Sequence, residues 1–113
     1  MGNFGDTVEP ETPHDRALES RIRLQILAAL LAGGGEDFVT LRKQCRLSDG
    51  SLHFHLRILE EAGYIRRRKH VLRQQVQSRF RITPAGRAAL RTYLDDMQTL
   101  LHHIKTAVSK PAT

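Results

Sequence analysis

Seven basic side chains and no acid fall between Tyr64 and Arg81: Arg66, Arg67, Arg68, Lys69, Arg73, Arg79 and Arg81. A guanidinium is charged at every physiological pH. Its rigid fork of donors matches a phosphate, or the O6/N7 edge of a guanine, two bonds at a time. A basic run left uncompensated over such a length suits a polyanion, either nucleic acid or an anionic membrane surface. The opposite sign collects elsewhere: Met1 to Ser20 holds Asp6, Glu9, Glu11, Asp15 and Glu19 against Arg16 alone. The chain's net charge of +6 over 113 residues is therefore concentrated on one segment, where a surface chosen only for solubility would spread it. Just upstream of the basic run lie Ser51, His53, Phe54 and Arg57, side chains that can reach a base edge or a phosphate.

Other chemistries find less support. Asp95, Asp96, His102 and His103 share the last periodic segment, but Asp95 and His102 are two helical turns apart, too far for one ion within a chain. Adjacent histidines of this kind are read as solvated, and no metal site is assigned. Cys45 is the single cysteine, so neither a multi-thiolate site nor an internal disulfide can form, which fits a reducing cytoplasm. No Ser-His-Asp arrangement, phosphate loop or acid pair stands out. The chain is read as a non-enzyme without cofactor. No apolar run approaches the ~20 residues that span a bilayer, and the N-terminus lacks an apolar signal core. The expectation is a soluble, intracellular protein with no membrane partner.

The elements that must carry these residues follow from periodicity. One domain fits a chain of this length. Residues 1–14, with their prolines and glycines, are expected to form a disordered acidic tail. Asp15 could cap a helix from Arg16 to Leu31, whose apolar residues recur at helical spacing until Gly33-Gly34-Gly35 ends it. Asp37-Phe38-Val39 reads as a very short strand. Thr40 can cap a short helix from Leu41 to Cys45, and Arg46-Leu47 makes the turn to Ser48. Ser48 caps a helix from Asp49 to Ala62, with Leu52, Leu56 and Leu59 as its inward stripe and Gly63 as its stop. Two helices joined by a tight turn make a helix-turn-helix unit. Tyr64–Val71 and Ser78–Ile82 are candidate strands of a ribbon, with Leu72–Gln77 expected to be a long mobile loop. Thr83-Pro84 opens a last helix running to about Val108, and residues 109–113 are a frayed end.

The side of helix 49–62 opposite the leucine stripe carries Gly50, Phe54 and Arg57, with His53 on its flank. Ser51, His53, Phe54 and Arg57 are the candidates for base readout in a major groove, which admits one helix. Arg57 can grip a guanine or hold a phosphate. Phe54 either touches a thymine methyl or packs beneath the ribbon. His55, beside the inward stripe, packs or bonds to the turn. Gly50 lets the helix start approach a phosphate closely. In the ribbon, alternation turns only about half of Arg66, Arg67, Arg68 and Lys69 toward DNA. Arg73 is placed for the minor groove, and Arg79 and Arg81 for phosphates.

The run LHFHLRILEEAGYI resembles the recognition helix of the ArsR- and MarR-type winged helix-turn-helix regulators. Leu52, His55, Leu56, Leu59, Glu60, Ala62, Gly63, Tyr64 and Ile65 carry the likeness. Arg23-Leu24-Gln25-Ile26-Leu27 resembles that group's opening helix, and Arg81-Ile82-Thr83-Pro84-Ala85-Gly86-Arg87 its strand-to-helix junction. The resemblance implies a mainly α (α+β) fold: a winged helix-turn-helix with a two-stranded wing over residues 15–83 and a long C-terminal dimerisation helix over 84–108. It implies a dimeric repressor with double-stranded DNA as partner; the effector, if there is one, is not readable. Some ArsR-type relatives sense metals through His and acidic residues on the terminal helix, the place of Asp95 and His102 here. The chain departs from the group in carrying His53 and Phe54 where small polar or basic residues are usual.

Leu90, Leu94, Met97, Leu101, Ile104 and Val108 follow a heptad spacing, so a second copy is expected to cover the end of the last helix. The alternative is that this helix folds back over the first one. Two further functions compete with sequence-specific regulation: a winged-helix module that docks protein, favoured by Phe54 and Ile58, and a nonspecific nucleoid DNA binder.

Overall fold

The computed structural model describes residues 13–111. Its elements run α1 (Pro13–Leu18), α2 (Arg21–Gly33), β1 (Glu36–Asp37), α3 (Phe38–Cys45), α4 (Asp49–Glu61), β2 (Ile65–Leu72), β3 (Gln75–Ile82) and α5 (Pro84–Ser109). The core is built where the apolar stripes meet. Ile26, Leu27 and Leu30 of α2, Leu41 of α3, and Leu52, Leu56 and Leu59 of α4 are fully buried together with Leu18 and Phe80. Truncating one such leucine to alanine costs about 2–5 kcal/mol in comparable cores. Among the described residues no polar or charged residue is fully buried.

Several boundaries differ from the sequence expectation, each for a local reason. The segment expected as one helix from Arg16 is two. α1 begins at Pro13 and stops at Leu18, and Ser20 then restarts the helix, its hydroxyl accepting from the Arg23 amide at 3.1 Å. Apolar periodicity runs through both pieces and does not register the break. The expected tail falls, apart from its last two positions, outside the described residues. Strand β1 is only Glu36–Asp37, because Asp37 caps α3 in place of Thr40. Its carboxylate accepts from the Thr40 amide at 2.8 Å and from the Thr40 hydroxyl at 3.0 Å. The Thr40 amide is the main reason that the Asp37 carboxyl is held below its usual pKa.

The helix-turn-helix junction is closed by paired capping bonds. Arg46 takes a left-handed conformation (φ 55°), with its amide to Lys43 and the Leu47 amide to Arg42. The end of α4 repeats the scheme. Gly63 has φ 80°, and the Gly63 and Tyr64 amides reach Glu60 and Leu59. These 5→2 and 6→1 bonds satisfy carbonyls that a helix end leaves free. Ser48 caps α4 as expected, accepting from Ser51 at 3.1 Å.

The sheet has the order β1-β3-β2, antiparallel throughout. Register runs from Ile65 opposite Ile82 to Leu72 opposite Gln75. The long mobile loop expected at Leu72–Gln77 is therefore not formed. Both strands continue to a two-residue turn, and Arg73 (φ 53°) and Gln74 (φ 67°) both take the positive φ that such a turn demands. No Asn-Gly or Asp-Gly announces it.

Helix α5 starts as expected, with Thr83 accepting from the Gly86 amide at 2.9 Å and Pro84 in the first turn. It is tied to the end of α4. The Thr83 amide donates to Tyr64, and the Thr83 hydroxyl to Gly63 at 2.7 Å. Gly86 packs directly against the Tyr64 backbone. Leu90 is buried, Tyr93 packs at the margin of the core, and α1 lies alongside the helix. Beyond Met97 every residue of α5 is exposed, and the molecule measures 67 × 34 × 24 Å. The fold-back alternative is thereby corrected: among the described residues, the end of α5 covers no part of the chain.

Candidate nucleic-acid interface

The stripe that buries α4 fixes what it offers to solvent. With Leu52, Leu56 and Leu59 inward, Gly50, His53, Phe54 and Arg57 are exposed, and Ser51 is half-buried. Phe54 is 60 % exposed, which removes the alternative of packing beneath the ribbon. Its ring meets the edge of His55, centroids 5.1 Å apart. Arg57 has no hydrogen-bond or ion-pair partner among the described residues. A Cβ at Gly50 would meet nothing within 4 Å, so nothing within the chain requires a glycine there. Next to Gly50, Asp49 pairs with Arg42 at 3.1 Å and stitches α3 to the start of α4.

His53 is held differently from its neighbours. Its ring stacks on Phe38 at 4.4 Å and 29°, at the edge of a cleft of about 590 Å³. The first turn of α3 and the inner face of the ribbon line the rest of that cleft, with Thr40, Arg67, Ser78 and Phe80 among its walls.

The ribbon has two unlike faces. Ile65, Arg67, Phe80 and Ile82 share the inner face by register. Arg67 is committed there: it reaches Glu60 of α4 at 2.8 Å and lies 5.3 Å from the centre of the Phe80 ring. Among the expected wing contacts it is thus the one that fastens the ribbon to α4. Arg66, Arg68, Arg79 and Arg81 share the outer face, Arg66 directly opposite Arg81 and Arg68 directly opposite Arg79. Arg79 also donates to the Gly35 carbonyl at 3.2 Å. Lys69 is exposed on the inner-face row, and Arg73 stands at the ribbon tip. The structure thus gathers Gly50, Ser51, His53, Phe54 and Arg57 on one helix surface but splits the wing arginines between two faces. Of the apolar row on α5, Leu90 lies in the chain's own core, Met97 is half-buried, and Leu94, Leu101, Ile104 and Val108 are exposed.

Two supports of α4 had no signal in the sequence. Phe38, beneath His53, looked like part of a strand. Arg23 binds three elements at once, donating to the Arg16 and Ala17 carbonyls at the end of α1 and to His55 Nδ1 of α4 at 3.0 Å. A guanidinium only donates, so Nδ1 accepts and the ring proton sits on Nε2. Burial, then the Arg23 charge, lowers the His55 pKa. His55 is thus bonded to α2, not to the turn. Cys45 is half-buried, and burial raises its pKa.

A three-helix unit whose third helix shows a polar and aromatic face beside a basic antiparallel ribbon is a winged helix. Known proteins bear this out. The profile of the winged helix DNA-binding domain family matches residues 22–101, and the chain belongs to that family. It is 32 % identical over 90 residues to MJ0432 of Methanocaldococcus jannaschii, covering 80 % of this chain and 98 % of that protein. Among solved structures it is similar to a transcriptional regulator homologue from Pyrococcus horikoshii OT3 (24 % identity, TM-score 0.67, 81 % of this chain and 96 % of the other). It is also similar to a homodimeric winged helix-turn-helix DNA-binding domain, Mb0332, from Mycobacterium bovis (21 %, TM-score 0.62, 83 % and 81 %). The chain thus carries a winged helix DNA-binding domain over most of its length. No described helix is long and apolar enough to cross a membrane.

Proposed function

We propose that two copies of this chain, joined through α5, bind double-stranded DNA sequence-specifically and act as a repressor by occluding a promoter. The observation that carries the reading is the uncovered outer face of α4, where Phe54 and Arg57 stand free beside a helix start stripped of side chain at Gly50. Helix-turn-helix proteins present the first residues of such a helix to base edges. Ser51, Phe54 and Arg57 read bases, with Phe54 suited to a thymine methyl. His53, stacked on Phe38 at the cleft edge, completes the base-reading set. Gly50 admits a phosphate, and Lys69 and Arg73 extend the contact along the wing. Association is supported by the apolar row Leu94, Leu101, Ile104 and Val108, left exposed at 44 % or more. The homodimeric state of the Mycobacterium bovis domain points the same way.

The test is fluorescence anisotropy against genomic fragments over a salt series. Log K should fall with log salt by about 0.9 per phosphate contacted. One fragment should bind well above the rest, and Arg57→Ala should erase that preference. Equal binding of all fragments would leave only nonspecific DNA association. No binding at low salt would favour a protein-docking module, a reading to which the exposed Phe54 also lends itself.

A further inference from the structure

The outer face of the ribbon continues onto α5 as a single basic surface. Arg66, Arg68, Arg79 and Arg81, with His70, line a concavity of about 570 Å³ closed at one end by Ile82, Thr83 and Pro84. A second concavity shares Ile82 and Pro84 with it and adds Arg87 and Arg91 from the start of α5. Among the described residues no acid lines either one. Arg66, Arg68, Arg81, Arg87 and Arg91 have no hydrogen-bond or ion-pair partner among the described residues. Arg79 is partly compensated, by the Gly35 carbonyl and by the charge of Asp37. Like charges directly opposite on a ribbon destabilise it. This face carries two such pairs, 66/81 and 68/79, and among the described residues only Asp37, beside Arg79, offsets any of their charge.

The surface does not face the groove that α4 would enter. Register turns Arg67 and Phe80 toward α4, so their neighbours in the strands point away from it. We propose that this outer face binds the sugar-phosphate backbone of duplex DNA beyond the groove read by α4, so that the flank of a bound site bends around the back of the wing. The inference rests on the DNA-binding function proposed above. Geometry favours a polymer over a small anion. Successive outer-face arginines of one strand are about 6.6 Å apart, and Arg87 and Arg91 are one helical turn, about 6 Å, apart. Six guanidiniums in an extended band suit a row of phosphates, whereas a small anion engages two or three of them.

The experiment measures the full chain against one preferred site carried on duplexes without flanks, or with flanks of about one helical turn (about 10 base pairs) on each side. Flanks should tighten wild-type binding about tenfold at low salt and steepen the salt slope by about 0.9 per added phosphate. The pairs Arg87→Gln/Arg91→Gln and Arg66→Gln/Arg68→Gln should each remove most of that gain. The ratio between preferred and scrambled sites should persist. Their thermal midpoints should equal or exceed wild type, because repulsion has been relieved; a drop would assign these arginines to the fold. A second source of the same backbone is a separate duplex. If flanks add nothing but an unlabelled duplex is retained on the occupied protein, and is lost in the same variants, the face binds DNA in trans. Flank gains undiminished in both variants, or neither flank gain nor retained duplex in the wild type, overturn the proposal. A wild-type chain that discriminates no site fails the function itself, an outcome the scrambled duplex reports separately.

Discussion

At the scale of single residues, the interface separates side chains that hold α4 from those that α4 holds out. Gly50 belongs to the second kind. Its site has room for a methyl group, and alanine is the better helix former by about 0.5–1 kcal/mol. Gly50→Ala should therefore leave the thermal midpoint equal or higher while weakening DNA binding in anisotropy. Unchanged affinity would remove the close approach of a phosphate at this point. His55 belongs to the first kind. Its folded pKa lies below 6.5, so the unfolded chain takes up the proton more readily. Its contribution to stability is complete above pH 6.5 and is lost as pH falls through the lowered folded value. Protonation at Nδ1 also ends the bond from Arg23 and sets two cations together. Urea midpoints between about pH 7.5 and about pH 5 should fall more steeply in the wild type than in His55→Asn. Parallel curves would show that the Arg23–His55 bond does not sense pH.

At the scale of elements, two backbone positions decide how the wing and α5 are set on the helix-turn-helix unit. Gly86 has no room for a Cβ because the Tyr64 backbone occupies that space. Backbone cannot step aside as a flexible side-chain end can. Gly86→Ala should cost about 1–3 kcal/mol in denaturant melts. A midpoint within error of wild type would mean that α5 shifts freely, and its tie to Tyr64 would then not position the wing. Gln74 holds φ 67° at the ribbon tip, a conformation that disfavours side chains by about 1–2 kcal/mol. Gln74→Gly should stabilise the hairpin and slow amide exchange in β2 and β3. A variant that exchanges faster would contradict the tight turn. Elements were readable where a capping residue and a stripe agreed, as at Ser48 with Leu52, Leu56 and Leu59. They were misread where a long-range partner decided. Asp37 and Phe38 looked strand-like, yet only Glu36 and Asp37 pair with β3, because Asp37 caps α3 and Phe38 opens it.

At the scale of the whole molecule, an α5 of 26 residues, about 39 Å long, leaves its last turns without cover. Charges placed there should act only through a second copy. Leu101→Asp or Ile104→Asp should give a monomer by light scattering with helix content retained by circular dichroism. The monomer should bind one half-site weakly. A variant that stays dimeric would move the interface away from this row. Leu90→Asp would be a poor version of this test, because Leu90 is part of the core and its loss should unfold the domain.

Local pattern alone sets the order of helix, turn, helix and basic ribbon, the inward stripe of α4, and the concentration of positive charge between Tyr64 and Arg81. These are local properties: periodicity, capping and charge are carried by neighbours within a few residues. Which arginines are free follows from how the elements pack. Arg67 is drawn to Glu60 across the junction of α4 and β2, whereas Arg66 and Arg68 are turned away by strand alternation once the register is set. The same packing decides that Phe54 stands in solvent, that His53 leans on Phe38, and that Arg23 reaches His55. Each outcome depends on segments distant in sequence being brought together by the shared core, a contact that no local pattern encodes.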